Sequence, residues 1–403
     1  MSALRIVCAL LLALATSLPG VATAGEPAAL ALSGFATLGA VSSDRKDVWF
    51  TRYGVNFPGD SDPDFSPDSL IGLQASLALG PSSDVTLQVL SSETGANNYD
   101  PRVTLGFFRQ TLAPGLAVRV GRLRVPFFML SDSLYINYAN PWVRPPVEVY
   151  SLNPFNDLDG IDALYHARFG ATDLELHPYY GSGRIPFPDG KARLRETWGM
   201  NMVVTHGDFA LHLGHGDGRF SLQRGDVQFQ RFAAALQGAG LGGVVEDLSG
   251  TRGKTAFDSV GLQWDDGTWQ VVGEYARRRA NRYVVSAHGW YVSAGRRYGA
   301  LTPYLVFARQ HLERPMARLP ATAPEPLPTV WEAFLRSRNN AQRSLTAGLR
   351  WDVARNAALK GELSHARPDR DAWGSYFPRS DPLGTRVGGR AINTLSVSVD
   401  VTF

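Results

Sequence analysis

Hydrophobic and polar residues alternate with a period of two along much of this chain. The pattern is cleanest in the last thirteen residues, where Ala391, Leu395, Val397, Val399, Val401 and Phe403 share one face. Ile392, Thr394, Ser396, Ser398, Asp400 and Thr402 share the other. Successive side chains of a strand point to opposite faces, so such a segment can hold one face in hydrocarbon and the other in water. The same alternation is clear in 345–351 and 357–365 and blurred in 116–125 and 283–297. Strands are predicted at 31–42, 69–79, 84–92, 102–112, 116–125, 160–169, 173–182, 194–205, 209–214, 255–264, 268–279, 283–297, 300–311, 342–353, 357–366 and 391–403. Tight-turn residues such as Gly80-Pro81-Ser82-Ser83, Ala113-Pro114-Gly115, Gly207-Asp208 and Asp265-Asp266-Gly267 join them in pairs. Longer segments separate the pairs. Sixteen strands with both ends on the short-turn side is the parity of a bacterial membrane barrel. The expected fold class is therefore all-β: a transmembrane antiparallel β-barrel with short periplasmic turns and long extracellular loops.

The N-terminus fits the same compartment. Arg5 precedes an apolar run from Ile6 to Leu18, and Ala22-Thr23-Ala24 is an A-x-A cleavage pattern. Residues 1–24 read as a cleaved signal peptide and 25–403 as one barrel. Cys8 is the only cysteine, so the chain after residue 24 has no thiol. Past the leader no apolar run is long enough for a membrane helix, which leaves a closed barrel as the way to satisfy backbone polar groups in lipid. The chain carries 40 basic and 37 acidic residues, a formal net charge of +3. Its basic residues form no run interleaved with aromatics, so no nucleic-acid partner is expected.

A sixteen-stranded barrel is wide enough for an aqueous lumen. The phase opposite the apolar one is polar at Gln74 and Ser76, Thr86 and Gln88, Glu175 and His177, Ser344 and Thr346, Arg350 and Asp352, and Lys360 and Glu362. Charges on the lipid face are costly, which assigns these residues to the lumen. Trp264, Trp269, Trp351 and Phe403 lie beside short turns on the apolar phase and are predicted to form an interfacial girdle.

The segment 126–159 is long and rich in aromatic and aliphatic residues, including Phe127, Phe128, Tyr135, Tyr138 and Trp142. That much apolar surface needs a packing partner. Folded into the barrel, the segment would narrow the lumen as a constriction loop. Asp132, Arg144 and Glu148 would then face the wall, with Arg122 and Arg124 as the basic half of the constriction. The alternatives are external packing against a neighbouring subunit or other loops for the segment, and interfacial anchoring at the rim for the two arginines. Gly121 marks a possible bulge.

Leu32-Ser-Gly-Phe-Ala-Thr-Leu-Gly39, Gly121-Arg-Leu-Arg-Val-Pro126 and Trp142-Val-Arg-Pro-Pro146 are similar to porins of proteobacteria. With the leader, sixteen strands, a long third loop and a terminal Phe, the chain resembles a Gram-negative general diffusion porin. The resemblance implies an outer-membrane homotrimer in contact with lipid and lipopolysaccharide. It also implies a water-filled channel for passive diffusion of small hydrophilic solutes and ions, constricted by the third loop. A substrate- or anion-selective porin is the main alternative, given Arg277, Arg278, Arg279, Arg282, Arg296 and Arg297; a non-conducting structural or adhesive barrel is another. No cofactor, metal site or catalytic residue is expected. Asp60, Asp62, Asp64 and Asp68 lack the glycine and glutamate of an EF-hand, since Phe65 and Ile71 stand there. His206, His212 and His215 are spread between turn, lumen and loop. No hydrolase or P-loop motif is present.

Overall fold

In a computed structural model of the protein, residues 30–52, 61–95, 98–187, 189–381 and 384–403 are described. The expected leader and Asp60 lie outside these residues.

Sixteen strands close an antiparallel barrel. They are β1 (Leu30–Ser43), β3 (Leu70–Gly80), β4 (Ser83–Ser92), β5 (Arg102–Ala113), β6 (Leu116–Arg124), β7 (Asp157–Phe169), β8 (Thr172–Phe187) and β9 (Gly190–His206) in the first half. The second half is β10 (Phe209–Arg224), β11 (Gly250–Asp265), β12 (Trp269–Ala280), β13 (Ser286–Arg296), β14 (Leu301–Arg314), β15 (Gln342–Ala354), β16 (Ala357–Pro368) and β18 (Ile392–Thr402). Each strand pairs with its sequence neighbour in the barrel, and β18 closes it on β1. Closure leaves no unpaired sheet edge. Two short strands, β2 (Val48–Phe50) and β17 (Tyr376–Pro378), form a separate ribbon between long loops.

All sixteen segments expected from alternation are strands, but two hairpins run further than predicted. The strand expected at 209–214 continues to Arg224, and its partner begins at Gly250. The segment expected as a loop at 183–193 is mostly the hairpin of β8 and β9. In the extension of β10 the outward apolar series Phe209, Leu211, Leu213 gives way to His215, Asp217 and Arg219, so period-two hydrophobicity fades while pairing persists. Helices α1 (Val147–Tyr150), α2 (Val227–Gly238), α3 (Gly242–Leu248) and α4 (Leu327–Ser337) lie in segments read as loops.

The two phases separate as the chemistry requires. Inward, Ser76 meets Thr86 at 3.1 Å, Gln88 donates to Gln74 at 3.0 Å, and Thr346 donates to Ser364 at 2.9 Å. Outward, Leu73, Leu87, Val120, Ile161, Val260, Leu305, Leu363 and Leu395 form an exposed apolar band. Trp269 and Trp351 are exposed beside the short turns, and the partly buried Trp264 stacks on Phe209 with ring centroids 6.4 Å apart. Arg296 lies over Trp269, and Arg297 pairs with Asp265 at 2.6 Å. These two arginines therefore sit at the short-turn end, away from Arg277 and Arg279, and the expected six-arginine cluster is split.

The chain's last residue takes part in closure. The Gly34 N–H donates to the Phe403 carbonyl at 2.7 Å, and the Phe403 N–H donates to the Gly34 carbonyl at 2.9 Å. The Phe403 ring lies against Gly34 so closely that a Cβ there would overlap it. Gly34→Val should force the ring away, with a strain of about 1–3 kcal/mol. The expected result is a lower temperature at which the compact folded band converts to the unfolded one on SDS gels. An unchanged conversion temperature would contradict this seam.

Candidate functional site: the loop-filled lumen

The segment after β6 turns into the barrel and crosses to the far wall before returning to β7. Of residues 126–156, only Asp132 and Ala139 are exposed. Its aromatic residues begin the packing. Phe127 meets Tyr179 and Phe257 edge-on with centroids 5.9 and 5.5 Å away. Phe128 stacks on Tyr150 at 4.6 Å and meets Phe257 at 5.0 Å. Trp142 is almost fully buried, and its indole N–H donates to Ser293 at 2.9 Å.

An irregular segment in a barrel has no ladder partner for its backbone, and buried N–H and C=O groups must be satisfied. Here charged wall residues serve that need. Glu274 accepts the Met129 N–H at 2.8 Å and the Tyr150 hydroxyl at 2.7 Å. Glu362 accepts the Val143 N–H at 2.9 Å and the Tyr304 hydroxyl at 2.8 Å. Lys360 donates to the Asn137 and Trp142 carbonyls at 2.7 and 2.8 Å and pairs with Asp400 at 2.9 Å. Arg350 donates to the Tyr138 and Asn140 carbonyls at 2.6 and 3.0 Å, and Arg278 to the Leu152 carbonyl at 2.6 Å.

The loop's own charges are spent in the same way. Arg144 forms a bidentate pair with Asp68, with Nε 2.7 Å from Oδ1, and also donates to Ser396 at 2.9 Å. Its guanidinium lies over Phe50 at 4.6 Å. Glu148 accepts from Gln342 at 2.8 Å and Ser344 at 2.7 Å. Two wall glycines let the loop approach. A Cβ on Gly289 would overlap the Glu148 carbonyl, and one on Gly261 would press on Met129.

This placement corrects the expected constriction. Arg144, Glu148, Lys360 and Glu362 are brought together around the loop, but all four are buried contacts rather than charges facing open water. Arg350 is mostly covered as well, in a pair with Asp352. Arg122 points outward: it stands opposite Asp159 in register, one step beyond the exposed pair Val120 and Ile161, and bonds Asp159 at 2.7 Å. Pairing runs unbroken through Gly121, so no bulge turns Arg122 inward. Arg124 is buried beneath the loop, over the Tyr135 ring at 4.7 Å and 3.4 Å from Gln88.

Asp132 is the one expected loop charge that reaches open space. It lines a cavity of about 550 Å³ between the loop and strands β5 to β10. Phe128, Met129 and Ser131 form the loop side; Arg109, Arg119, Glu175, His177, Asn201 and His212 are on the wall. Arg119 and His177 both bind Asp162, at 2.6 and 2.7 Å, so this cluster carries most of its own compensation. Arg109 and Glu175 are exposed. Arg109 and Glu274 were not picked out as wall groups in the lumen, and Arg278, named only within the arginine group of the anion-selective alternative, binds the loop backbone instead. Their signal was a charge on the inward phase of a strand facing a long apolar loop. Of the aspartates considered for calcium, Asp62 bonds Ser42 and Lys46, which hold its carboxyl below the usual range; Asp68 belongs to Arg144. Among the described residues no group of histidines and carboxylates could hold a metal ion.

No family model matches the chain, and no curated protein is similar in sequence. Solved structures are similar in fold. OmpT of Vibrio cholerae in its trimer form, an outer-membrane protein, superposes with a TM-score of 0.55 at 12% identity, covering 94% of this chain and 100% of that one. The anion-selective porin from Comamonas acidovorans gives 0.53 at 14%, covering 93% and 100%. The outer-membrane channel DcaP of Acinetobacter baumannii gives 0.52 at 11%, covering 96% and 100%. The chain has the closed sixteen-stranded fold of outer-membrane porins.

Two substitutions test how the loop is held. Arg144→Ala strands the Asp68 carboxylate, and breaking a buried pair costs about 3–5 kcal/mol. Gly289→Val pushes α1 off the wall. Both variants should retain the barrel's circular dichroism while protease cleaves within 126–156 faster than in the parent. Equal cleavage rates would show that these contacts do not hold the loop.

Proposed function

We propose that this protein is an outer-membrane channel for passive diffusion of small hydrophilic solutes and ions, with the third loop confining passage to the side of β5 to β10. The observation that carries this reading is the cavity there. It keeps charged and polar wall groups open beside a loop that fills the opposite side of the lumen. Both signs of charge line it, through Arg109 and Glu175 on the wall and Asp132 on the loop, which supports weak rather than strong ion preference. The exposed apolar band and the exposed tryptophans beside the short turns support residence in a bilayer.

The same wall supports assembly of a homotrimer. The Arg122–Asp159 pair lies on the lipid-facing phase next to a hollow lined by Val103, Gly106, Val120, Gly160 and Ile161. A second copy covering that face would spare the pair from hydrocarbon. On the other side of the barrel, outward Arg277 and Arg279, paired with Glu313 and Asp258, stand above Tyr275 and suit contact with lipopolysaccharide phosphates.

We read the chain as a channel rather than an enzyme. The carboxylates of its pairs His166–Asp173, His177–Asp162, His215–Asp258 and His288–Glu313 also bind arginines, and no serine hydroxyl is bonded to these histidines among the described residues. A second reading, a plugged and non-conducting barrel, is favoured by the near-complete burial of 126–156.

Planar-bilayer recording separates the two. The channel reading predicts discrete conductance steps with a small reversal potential in a salt gradient. Replacing 127–154 by a short Gly-Ser linker should enlarge the steps several-fold. Bilayers that stay silent with the parent and conduct only after that replacement would establish the plug.

A further inference from the structure

At the long-loop end, the helical segments between β10 and β11 and between β14 and β15 meet. Phe232 of α2 lies 6.2 Å from Trp331 and 5.5 Å from Phe334 of α4, ring centroid to centroid. One arginine from each segment converges on this junction. Arg224, the last residue of β10, lies over Phe334 at 5.8 Å and over Phe229 at 5.6 Å. Arg338, just after α4, lies over the same Phe334 ring at 5.4 Å.

Two guanidiniums on one ring gain from its negative face but repel each other. Compensation from the protein is thin. Asp226 is the one carboxylate among the described residues whose charge bears on both. Its side chain is already engaged as the cap of α2, accepting the Phe229 N–H at 2.8 Å. Arg224 Nε donates to the Leu248 carbonyl at 3.3 Å. The Nε of Arg338 is buried with no hydrogen-bond partner, a costly arrangement for a charged donor. Burial also holds the Arg338 guanidinium below its ordinary range.

We propose that Arg224 and Arg338 form a binding site for a small soluble oxyanion, a carboxylate or phosphate group bridging the two loops. An anion there would relieve the repulsion and supply acceptors to two planar forks that bind oxygen pairs well. The junction belongs to the apolar cluster that continues inward through Phe220 to Phe155 of the third loop, 6.3 Å apart, rather than to the lipid-facing wall. A dissolved solute anion is therefore the occupant, and not a lipid headgroup. The site does not depend on conduction, since a silent barrel could still bind phosphate here.

The full chain, refolded in detergent free of lipopolysaccharide, should be titrated with inorganic phosphate and acetate at constant ionic strength. Trp331, whose ring is 6.2 Å from Phe334, is the fluorescence reporter, and Trp331→Phe identifies its share. The expected result is a saturable change that chloride does not reproduce, with affinity falling about tenfold or more in Arg224→Gln and Arg338→Gln. Arg252→Gln, an exposed arginine of β11, should leave it unchanged. Arg338→Lys, which keeps the charge and loses the fork, should fold and bind with intermediate affinity. Unaltered affinity in all three variants of Arg224 and Arg338, an equal response to chloride, or a response to lipopolysaccharide micelles alone would overturn the proposal.

Discussion

Everything inside this barrel depends on one requirement: a buried, irregular backbone must find hydrogen-bond partners away from a sheet. The third loop meets it by bonding to charged wall side chains. Carboxylates at Glu274 and Glu362 take its N–H groups, while Lys360, Arg350 and Arg278 give to its carbonyls. Charge-assisted bonds in a low-dielectric interior are strong when complete and expensive when broken. The wall and loop are therefore a single construction, and the wall's polarity serves packing as much as water.

That division of labour shapes the lumen. Over β11 to β18 and β1 the wall is covered by the loop, with Gly289 and Gly261 providing the close seats. Over β5 to β10 it faces the cavity, where Arg119, Asp162 and His177 compensate one another, Arg109 stands 3.9 Å from Asp84, and Glu175 and Asp132 are left to meet a solute. Selectivity, on this account, rests on a few exposed charges beside the cavity rather than on the whole set of inward residues. At the mouth, α2 and α4 add a second apolar layer continuous with the loop.

The barrel itself was legible because membrane walls obey a simple period. All sixteen strands could be read from alternation and turn residues, with errors where a hairpin runs on after its outward apolar residues stop, as at His215, Asp217 and Arg219 of β10. The lumen was legible in part. Lys360, Glu362 and Arg350 could be assigned to the inward face by phase, but phase says nothing of what covers that face, so their role as anchors was invisible. Arg122 misled because a charge beside a long loop suggests the lumen, whereas strict alternation after Val120 puts it outside. The helices of the outer loops carry no membrane signal and were missed. Arg224 and Arg338 are 114 residues apart in sequence, and only the fold brings them to one ring.

The central claim is that the third loop crosses the lumen and docks on the opposite wall. The most direct measurement uses the absence of cysteine after residue 24. Asn137 at the loop's far point donates to Thr37 of β1 at 3.1 Å. A Thr37→Cys, Asn137→Cys double variant should oxidise to an intramolecular disulfide in the folded barrel, seen as a mobility shift on denaturing, non-reducing gels. Two free thiols, both open to a maleimide in the folded protein under oxidising conditions, would contradict the account.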